Sequence, residues 1–189
     1  LAYEQTHDLN APRHRLWRIR AAKIITATGA IERPLSFANN DLPGVMLASA
    51  VRDYLADCGV SAGDRTVIVT NNDDAYRTAV ALKEGGLEVP AILDARPDPL
   101  GQLVEKARDL GIRVEAGRGV ASVTGKGRVQ GVDVCLHAGE GAVLETIPCE
   151  AVAMSGGWSP VVHLWSHCRG KLIWDEEQAH FRPDPSRPP

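Results

Sequence analysis

The sequence predicts an α/β fold: a small parallel sheet in a three-layer domain, followed by a β-meander. Three observations carry this. Short β-branched runs alternate with helical-period segments between residues 46 and 117, an order that implies parallel strands joined by right-handed crossovers. After residue 118 the helical period vanishes, and short strands between glycine turns take over. The composition permits a packed core without staples: 189 residues, 44% apolar, 24% charged, and a formal net charge of 21 − 24 = −3. These proportions disfavour a disordered chain and a nucleic-acid binder held by bulk positive charge. No apolar run approaches the roughly 20 residues that span a membrane. Neither a nucleic acid nor a membrane is an expected partner.

The elements follow in order. Residues 1–6 are strand-like, and residues 15–20 alternate apolar and basic side chains, as a strand with one wet face does. After a tight turn, residues 23–27 are apolar or small apart from Lys23 and read as a buried parallel strand ending in Thr28-Gly29. Pro34, Asn39, Asn40, Pro43 and Gly44 then mark residues 30–44 as a crossover linker. Leu47, Ala50, Val51, Tyr54 and Leu55 fall at helical spacing, and Gly59 is the stop.

A mononucleotide-type, Rossmann-like unit comes next. Residues 65–70 form a strand, and residues 73–84 a helix with Ala75, Ala79 and Leu82 inward, stopped by Gly85-Gly86. Residues 88–94 form a strand, 103–110 a helix and 112–115 a strand. The meander takes residues 120–123, 129–134 and 143–147, turning at Gly125-Lys126-Gly127 and Gly139-Glu140-Gly141. Residues 149–154 are one more buried strand, ending at Ser155-Gly156-Gly157-Trp158. The absence of an initiator Met or signal sequence and the proline-rich residues 183–189 suggest an internal piece of a longer polypeptide. Cys58, Cys135, Cys149 and Cys168 make no Cys-x-x-Cys pair, so reduced thiols in a cytoplasmic protein are expected, mostly packed as small hydrophobes.

Three stretches are candidates for chemistry. At Ala27, Thr28 and Gly29 a strand ends in small residues, which lets a flat or charged ligand approach the backbone. An ordinary strand-to-loop turn explains the same residues equally well. The second stretch is the turn after residues 65–70, where a dinucleotide fold carries its glycine fingerprint. Its three glycine positions here are Thr70, Asn72 and Ala75, of which only Ala75 is permissive. Asn71 and Asn72 are compatible with a left-handed turn. Asp73 and Asp74 suit the helix dipole and repel a diphosphate, while Asp94 sits where an acidic residue would hold a ribose. The third stretch begins at Gly156-Gly157, with Trp158 and Trp165 as apolar surfaces for a cofactor ring or a partner. His163 and His167 stand four apart, but only the adjacent Cys168 accompanies them, so no metal set is expected. No nucleophile–base constellation is visible, and no catalytic residue is assigned.

Taken together, the strings Ala27-Thr28-Gly29-Ala30-Ile31-Glu32-Arg33-Pro34, Asn39-Asn40-Asp41-Leu42-Pro43-Gly44-Val45-Met46, Thr70-Asn71-Asn72-Asp73-Asp74-Ala75-Tyr76, Asp94-Ala95-Arg96-Pro97 and Ser155-Gly156-Gly157-Trp158-Ser159-Pro160-Val161-Val162-His163-Leu164 resemble the alpha subunits of heterotetrameric sarcosine oxidases. The resemblance runs from about residue 15 to residue 181.

It implies an oxidoreductase subunit that resembles the flavoproteins with two dinucleotide-binding domains, the first interrupted by a second, smaller one. Residues 1–45 would then be the tail of the first domain and a linker. Residues 46–150 would be the smaller NAD-domain-like module, and residues 151–189 the return to the first domain. The resemblance further implies NAD on an upstream glycine fingerprint, with FAD in its place as the alternative. FMN would lie between the alpha and beta subunits, and sarcosine would be oxidised on flavin (FAD and FMN both serving the complex) in the beta subunit. By position, Thr28, Gly29, Ser159, Leu164 and Ser166 would lie near the cofactor, with Ala27, Gly156 and Gly157 beside them. Two alternatives stand: a scaffold that docks partners through Trp158 and Trp165, or an alpha subunit of an opine, proline or cyanide-forming dehydrogenase. The chain by itself is expected to be inactive. Calorimetric titration of it with NAD should show no sub-micromolar binding.

Overall fold

The computed structural model describes residues 1–137 and 141–189. Its elements are β1 (Ala2–Gln5), β2 (His14–Trp17), β3 (Ala30–Glu32), β4 (Val45–Leu47), α1 (Ala48–Cys58), β5 (Thr66–Thr70), α2 (Asp74–Glu84) and β6 (Ile92–Asp94). They continue with α3 (Gln102–Asp109), β7 (Val114–Ala116), β8 (Arg118–Thr124), β9 (Gly131–Leu136), β10 (Glu145–Pro148), β11 (Ala151–Ser155), β12 (Trp158–Pro160), α4 (His163–His167), β13 (Leu172–Asp175) and β14 (His180–Pro183). The expected turn at residues 139–141 lies mostly outside the described residues.

Five strands form the central sheet in the order β4-β11-β5-β6-β7, and every neighbouring pair is parallel. From β4 the chain advances in one direction through α1 to β5, through α2 to β6 and through α3 to β7. Right-handed crossovers in one direction place all their helices on the same face. That face is packed accordingly: Ala48 and Val51 of α1, Ala75, Ala79 and Leu82 of α2, and Val104 and Ala107 of α3 cover Ile68, Ile92 and Ala153. The return from β7 to β11 runs the opposite way, so the same handedness puts it on the other face. There the antiparallel sheet β10-β9-β8 packs Val123, Val132, Val134 and Ile147 against Val67, Val69, Leu93, Val152 and Met154. The three layers are helices, parallel sheet and meander. β5 and β11 are buried along their whole length because both faces are covered.

The ends of α1 follow the sequence signals. Gly59 caps it at φ 65°, donating its N–H to Leu55 O. At the other end no side chain of the helix itself caps it; the buried Glu32 carboxylate of β3 accepts from the Ser49 N–H and Oγ–H. An acidic group at a helix N-terminus is stabilising, and this one also ties β3 to the sheet.

The N-terminal third departs from expectation. Residues 23–27 are not a buried strand: they carry no strand assignment, and Ile24 and Ile25 are 82% and 93% exposed. No described strand runs alongside them, so their backbone cannot enter a ladder and their isoleucines face water. The strand at β2 pairs instead with β1, antiparallel, from Ala2 opposite Trp17 to Gln5 opposite His14. The stretch read as linker holds β3, and β4 precedes α1 where helix alone was expected. Both are three-residue strands, too short for periodicity to reveal.

Two cysteines, Cys135 and Cys149, are buried, while Cys58 and Cys168 are exposed. Burial pushes the Cys149 thiol from 9.0 up to about 11. The folded state therefore favours the protonated thiol, a contribution complete below the ordinary thiol range and lost as pH climbs toward 11. Maleimide labelling of the native chain at pH 8 should modify Cys58 and Cys168 and spare Cys149. Ile68→Ala, at a position with no exposed surface, should cost about 2–5 kcal/mol in urea unfolding.

Candidate functional site

In an open α/β sheet, ligands bind beyond the carboxyl ends of the strands where the connections diverge. Here that point lies between β5 and β11: β5 leads into α2 on the helical face, and β11 arrives from the meander face. The loops that meet there are Asn71-Asn72-Asp73 and Gly156-Gly157.

The fingerprint turn is filled by its own side chains. Asn72 Nδ2 donates to Ser155 Oγ at 3.0 Å and to Ser155 O at 3.2 Å, lacing the two loops together. Asn72 Oδ1 accepts the Asp74 N–H at 3.0 Å, and the Tyr76 N–H goes to Asp73 O at 3.1 Å. The Asp74 and Tyr76 amides at the start of α2, which would meet a phosphate, are thus already engaged within the chain. Asn71 and Asn72 achieve this without positive φ, so the left-handed turn open to them is not adopted.

The acidic residues expected to repel a diphosphate are paired. Arg96 Nη1 meets Asp73 Oδ1 at 2.7 Å, and Asp74 faces Arg52 at 3.4 Å and Arg77 at 3.5 Å. The obstacle to a phosphate at this turn is therefore occupancy more than charge.

Asp94 is likewise committed. It is fully buried, accepts the Tyr76 hydroxyl at 2.8 Å and binds Arg96 through Nη2 at 2.7 Å and the backbone N–H at 2.9 Å. Burial, then the Asp94 bond, pushes the Tyr76 hydroxyl well above its ordinary range, and the same carboxylate holds the Arg96 guanidinium charged. No carboxylate edge is left to face a ribose.

Two clefts flank this closed turn, and Asn71 lines both. One, of about 440 Å³, lies toward the meander between Phe37, Thr70, Ala95, Arg118 and His137. The other, of about 560 Å³, lies between Arg33, Asn72, Gly157, Trp158, Pro160 and the turn joining β13 to β14.

Of the sequence-predicted site residues, Gly156 and Gly157 fall at the second cleft. Gly157 lines it. Gly156 is buried beside it, where a Cβ would meet Leu35 Cδ2 at 3.0 Å and Arg33 O at 3.1 Å. Trp158 and Pro160 line the cleft, so the alternation of β12 turns Ser159 to its opposite side. Thr28 and Gly29 are held there too: Thr28 Oγ1 donates to Val161 O at 2.7 Å, and the Val161 N–H donates to Gly29 O at 3.0 Å. Ala27 precedes them in exposed chain, and Leu164 and Ser166 lie exposed on the short α4. The set therefore splits between the cleft and the far side of β12. Trp158 and Trp165 are half-buried and not the free surfaces expected for docking; Trp165 covers Gly170 and donates to Lys171 O at 2.8 Å. His163 and His167 are exposed, and no three potential metal ligands converge among the described residues. No described helix is long and apolar enough to cross a membrane. Sequence reasoning missed Asn72 as a filler, Tyr76 and Arg96 as the partners of Asp94, and Arg33 as a wall of the cleft. Asn72 stands at a fingerprint position in the sequence, and Tyr76, Arg96 and Arg33 stand within the motif strings that carry the family resemblance.

No family model matches the chain. It is 42% identical over 170 residues to the sarcosine oxidase alpha subunit of Rhizobium meliloti, covering 90% of this chain and 16% of that subunit. The corresponding subunit of Corynebacterium sp. strain P-1 is 42% identical over 177 residues, covering 91% and 18%. The chain is homologous to part of the sarcosine oxidase alpha subunit. It spans only 16% and 18% of the length of these two relatives. An opine oxidase subunit of Agrobacterium tumefaciens is 26% identical over 177 residues, covering 85% and 35%. Among solved structures, thioredoxin reductase of T. acidophilum matches with TM-score 0.61 at 17% identity, covering 82% of this chain and 54% of that one. An FAD-dependent pyridine nucleotide-disulphide oxidoreductase from Desulfovibrio vulgaris matches with TM-score 0.58 at 17% identity, covering 92% and 44%. Identities this low speak for the fold alone. They agree with the parallel sheet and its meander.

Asp94→Asn should destabilise the fold by about 2–3 kcal/mol in chemical unfolding. That is below the usual loss for breaking a buried pair, because Arg96 keeps Asp73 and leaves 31% of its side chain in water.

Proposed function

We propose that this chain is a cofactor-supporting segment of the alpha subunit of a sarcosine oxidase-type amine oxidoreductase, and that its own nucleotide turn cradles no diphosphate at the start of α2. The observation that carries the reading is the 39–42% identity to sarcosine oxidase alpha subunits along at least nine-tenths of the chain. The closed turn supports the second half, since Asn72 and Asp94 spend on neighbours the contacts a dinucleotide would need. In this reading residues 1–45 and 151–189 belong to an interrupted dinucleotide-binding domain, and residues 46–150 form the smaller inserted module. The coenzyme, NAD or FAD in its place, rests against Thr28, Gly29, Ser159, Leu164 and Ser166. The carbonyl and hydroxyl contacts from Thr28 and Gly29 to Val161 hold that wall in place. The reacting flavins, FAD and FMN, belong to the assembled complex with a beta subunit. Within it N-methylglycine is demethylated oxidatively, and the segment alone does no chemistry. Four free cysteines fit a cytoplasmic location.

A second reading changes only the substrate: the likeness to the opine oxidase subunit, at 26%, extends over 85% of the chain.

Co-purification of the full-length polypeptide with its partner subunits separates these readings. A yellow complex that consumes N-methylglycine in preference to opines supports the first, and the reverse preference supports the second. A colourless assembly with neither activity overturns both. Within an active complex, Thr28→Val removes one neutral hydrogen bond worth about 1 kcal/mol. It should weaken coenzyme retention about fivefold, measured by dialysis against graded coenzyme concentrations.

A further inference from the structure

Arg33 lines the 560 Å³ cleft and is an exception among the arginines. Every other described arginine either is exposed or has a carboxylate within 4 Å. Arg33 is half-buried, and no described carboxylate comes within 4 Å of its guanidinium. Its Nε is buried with no acceptor. Its Nη1 donates to Ala179 O at 2.7 Å and its Nη2 to Gln178 O at 3.4 Å, both neutral carbonyls of the turn roofing the cleft. The guanidinium packs against Gly157, where a Cβ would come within 2.8 Å of Nη2. A permanently charged group that is half withdrawn from water, with a buried Nε and only neutral partners, is left with charge that an anion entering the cleft would neutralise.

We propose that Arg33 anchors an oxyanion in this cleft: a phosphate, either free or within the diphosphate of a dinucleotide. Guanidinium donors match phosphate oxygens in geometry and charge. The lining adds the neutral amide of Asn71 and the imidazole of His180, while the Asn72 side chain stays on Ser155 and Asp74. Trp158 and Pro160 give an apolar wall suited to the ring of a larger phosphate ester. Glu177 is the acidic side chain of the lining; it sits beyond 4 Å from Arg33 and opposes an incoming anion. The free-ion branch stands on the cleft alone; the dinucleotide branch rests on the coenzyme reading proposed above.

The test is calorimetric titration of the full-length polypeptide with inorganic phosphate, inorganic pyrophosphate and NAD, each alone. For phosphate and pyrophosphate one site per chain is expected that Arg33→Gln weakens at least tenfold and Glu177→Gln tightens about twofold; NAD held on an upstream fingerprint is distinguished by its indifference to Arg33→Gln. Because Arg33→Gln also frees the β13–β14 turn, Ala30→Trp provides a second variant. It fills the cleft from an exposed position and leaves the charge in place, and it should weaken the same site at least tenfold. Binding of pyrophosphate and NAD in preference to phosphate assigns the diphosphate; equal binding of phosphate assigns the free ion. Absence of binding by all three probes overturns the proposal, as does binding that Arg33→Gln and Ala30→Trp both leave unchanged.

Discussion

The chain entering the parallel sheet and the chain leaving it are joined by two backbone hydrogen bonds. The Arg33 N–H donates to Gly157 O at 2.8 Å, and the Gly156 N–H donates to Arg33 O at 2.7 Å. The antiparallel pairing of β3 with β12 continues this contact from Glu32 opposite Trp158 to Ala30 opposite Pro160. The approach is possible because both loop residues are glycines. A Cβ on Gly156 would press on Arg33 O and Pro34 O, and Gly157 has φ 92° with the guanidinium against its backbone. From this seam follow the position of Arg33, the Glu32 carboxylate at the start of α1, and the wall built by Thr28, Gly29 and Val161. Loss of the seam would leave two chain ends with no fixed relation to the strand tips.

The fold keeps the outline of a nucleotide-binding sheet while its chemistry is spent internally. A parallel sheet with a switch point provides a crevice whatever lines it, since the crevice comes from crossover handedness and strand order. Whether a dinucleotide can enter depends on a few side chains at the strand tips. Asn72 bridges β5 to Ser155, and Asp94 is held by Tyr76 and Arg96. Each of these contacts stabilises the module by satisfying a polar group that would otherwise be buried alone. Stability and ligand access compete for the same donors and acceptors here.

Likeness in shape and likeness in sequence answer different questions for this chain. Reductases at 17% identity share the sheet and meander because apolar patterning and crossover rules tolerate wide substitution. The 42% identity to two sarcosine oxidase alpha subunits runs over 90% and 91% of the chain, more than the rules of patterning alone require. A segment that spans less than a fifth of those two relatives supports a shared ancestry for this part.

By itself the sequence determined the succession of strands and helices from residue 48 to residue 155, because the helices are long enough for their period to show and the strands between them, even the three-residue β6 and β7, lie in apolar and β-branched runs. It also determined the stops at Gly59 and Gly85-Gly86 and the switch to a meander, through glycines at fixed places. The absent glycine fingerprint was legible from Thr70 and Asn72 alone. Tertiary structure decided the rest. Residues 23–27 have the composition of a buried strand and remain exposed, because a strand requires a neighbour that composition does not supply. The charges of Asp73 and Asp74 looked repulsive in isolation, and only folding brought Arg96, Arg52 and Arg77 beside them. Arg33 reads as one more basic residue in a motif until Gly157 and the β13–β14 turn, more than 120 residues away in the chain, close around it. Periodicity encodes which face of an element is apolar; it carries no record of which distant polar group will meet another, and the chemistry of the site lies in those meetings.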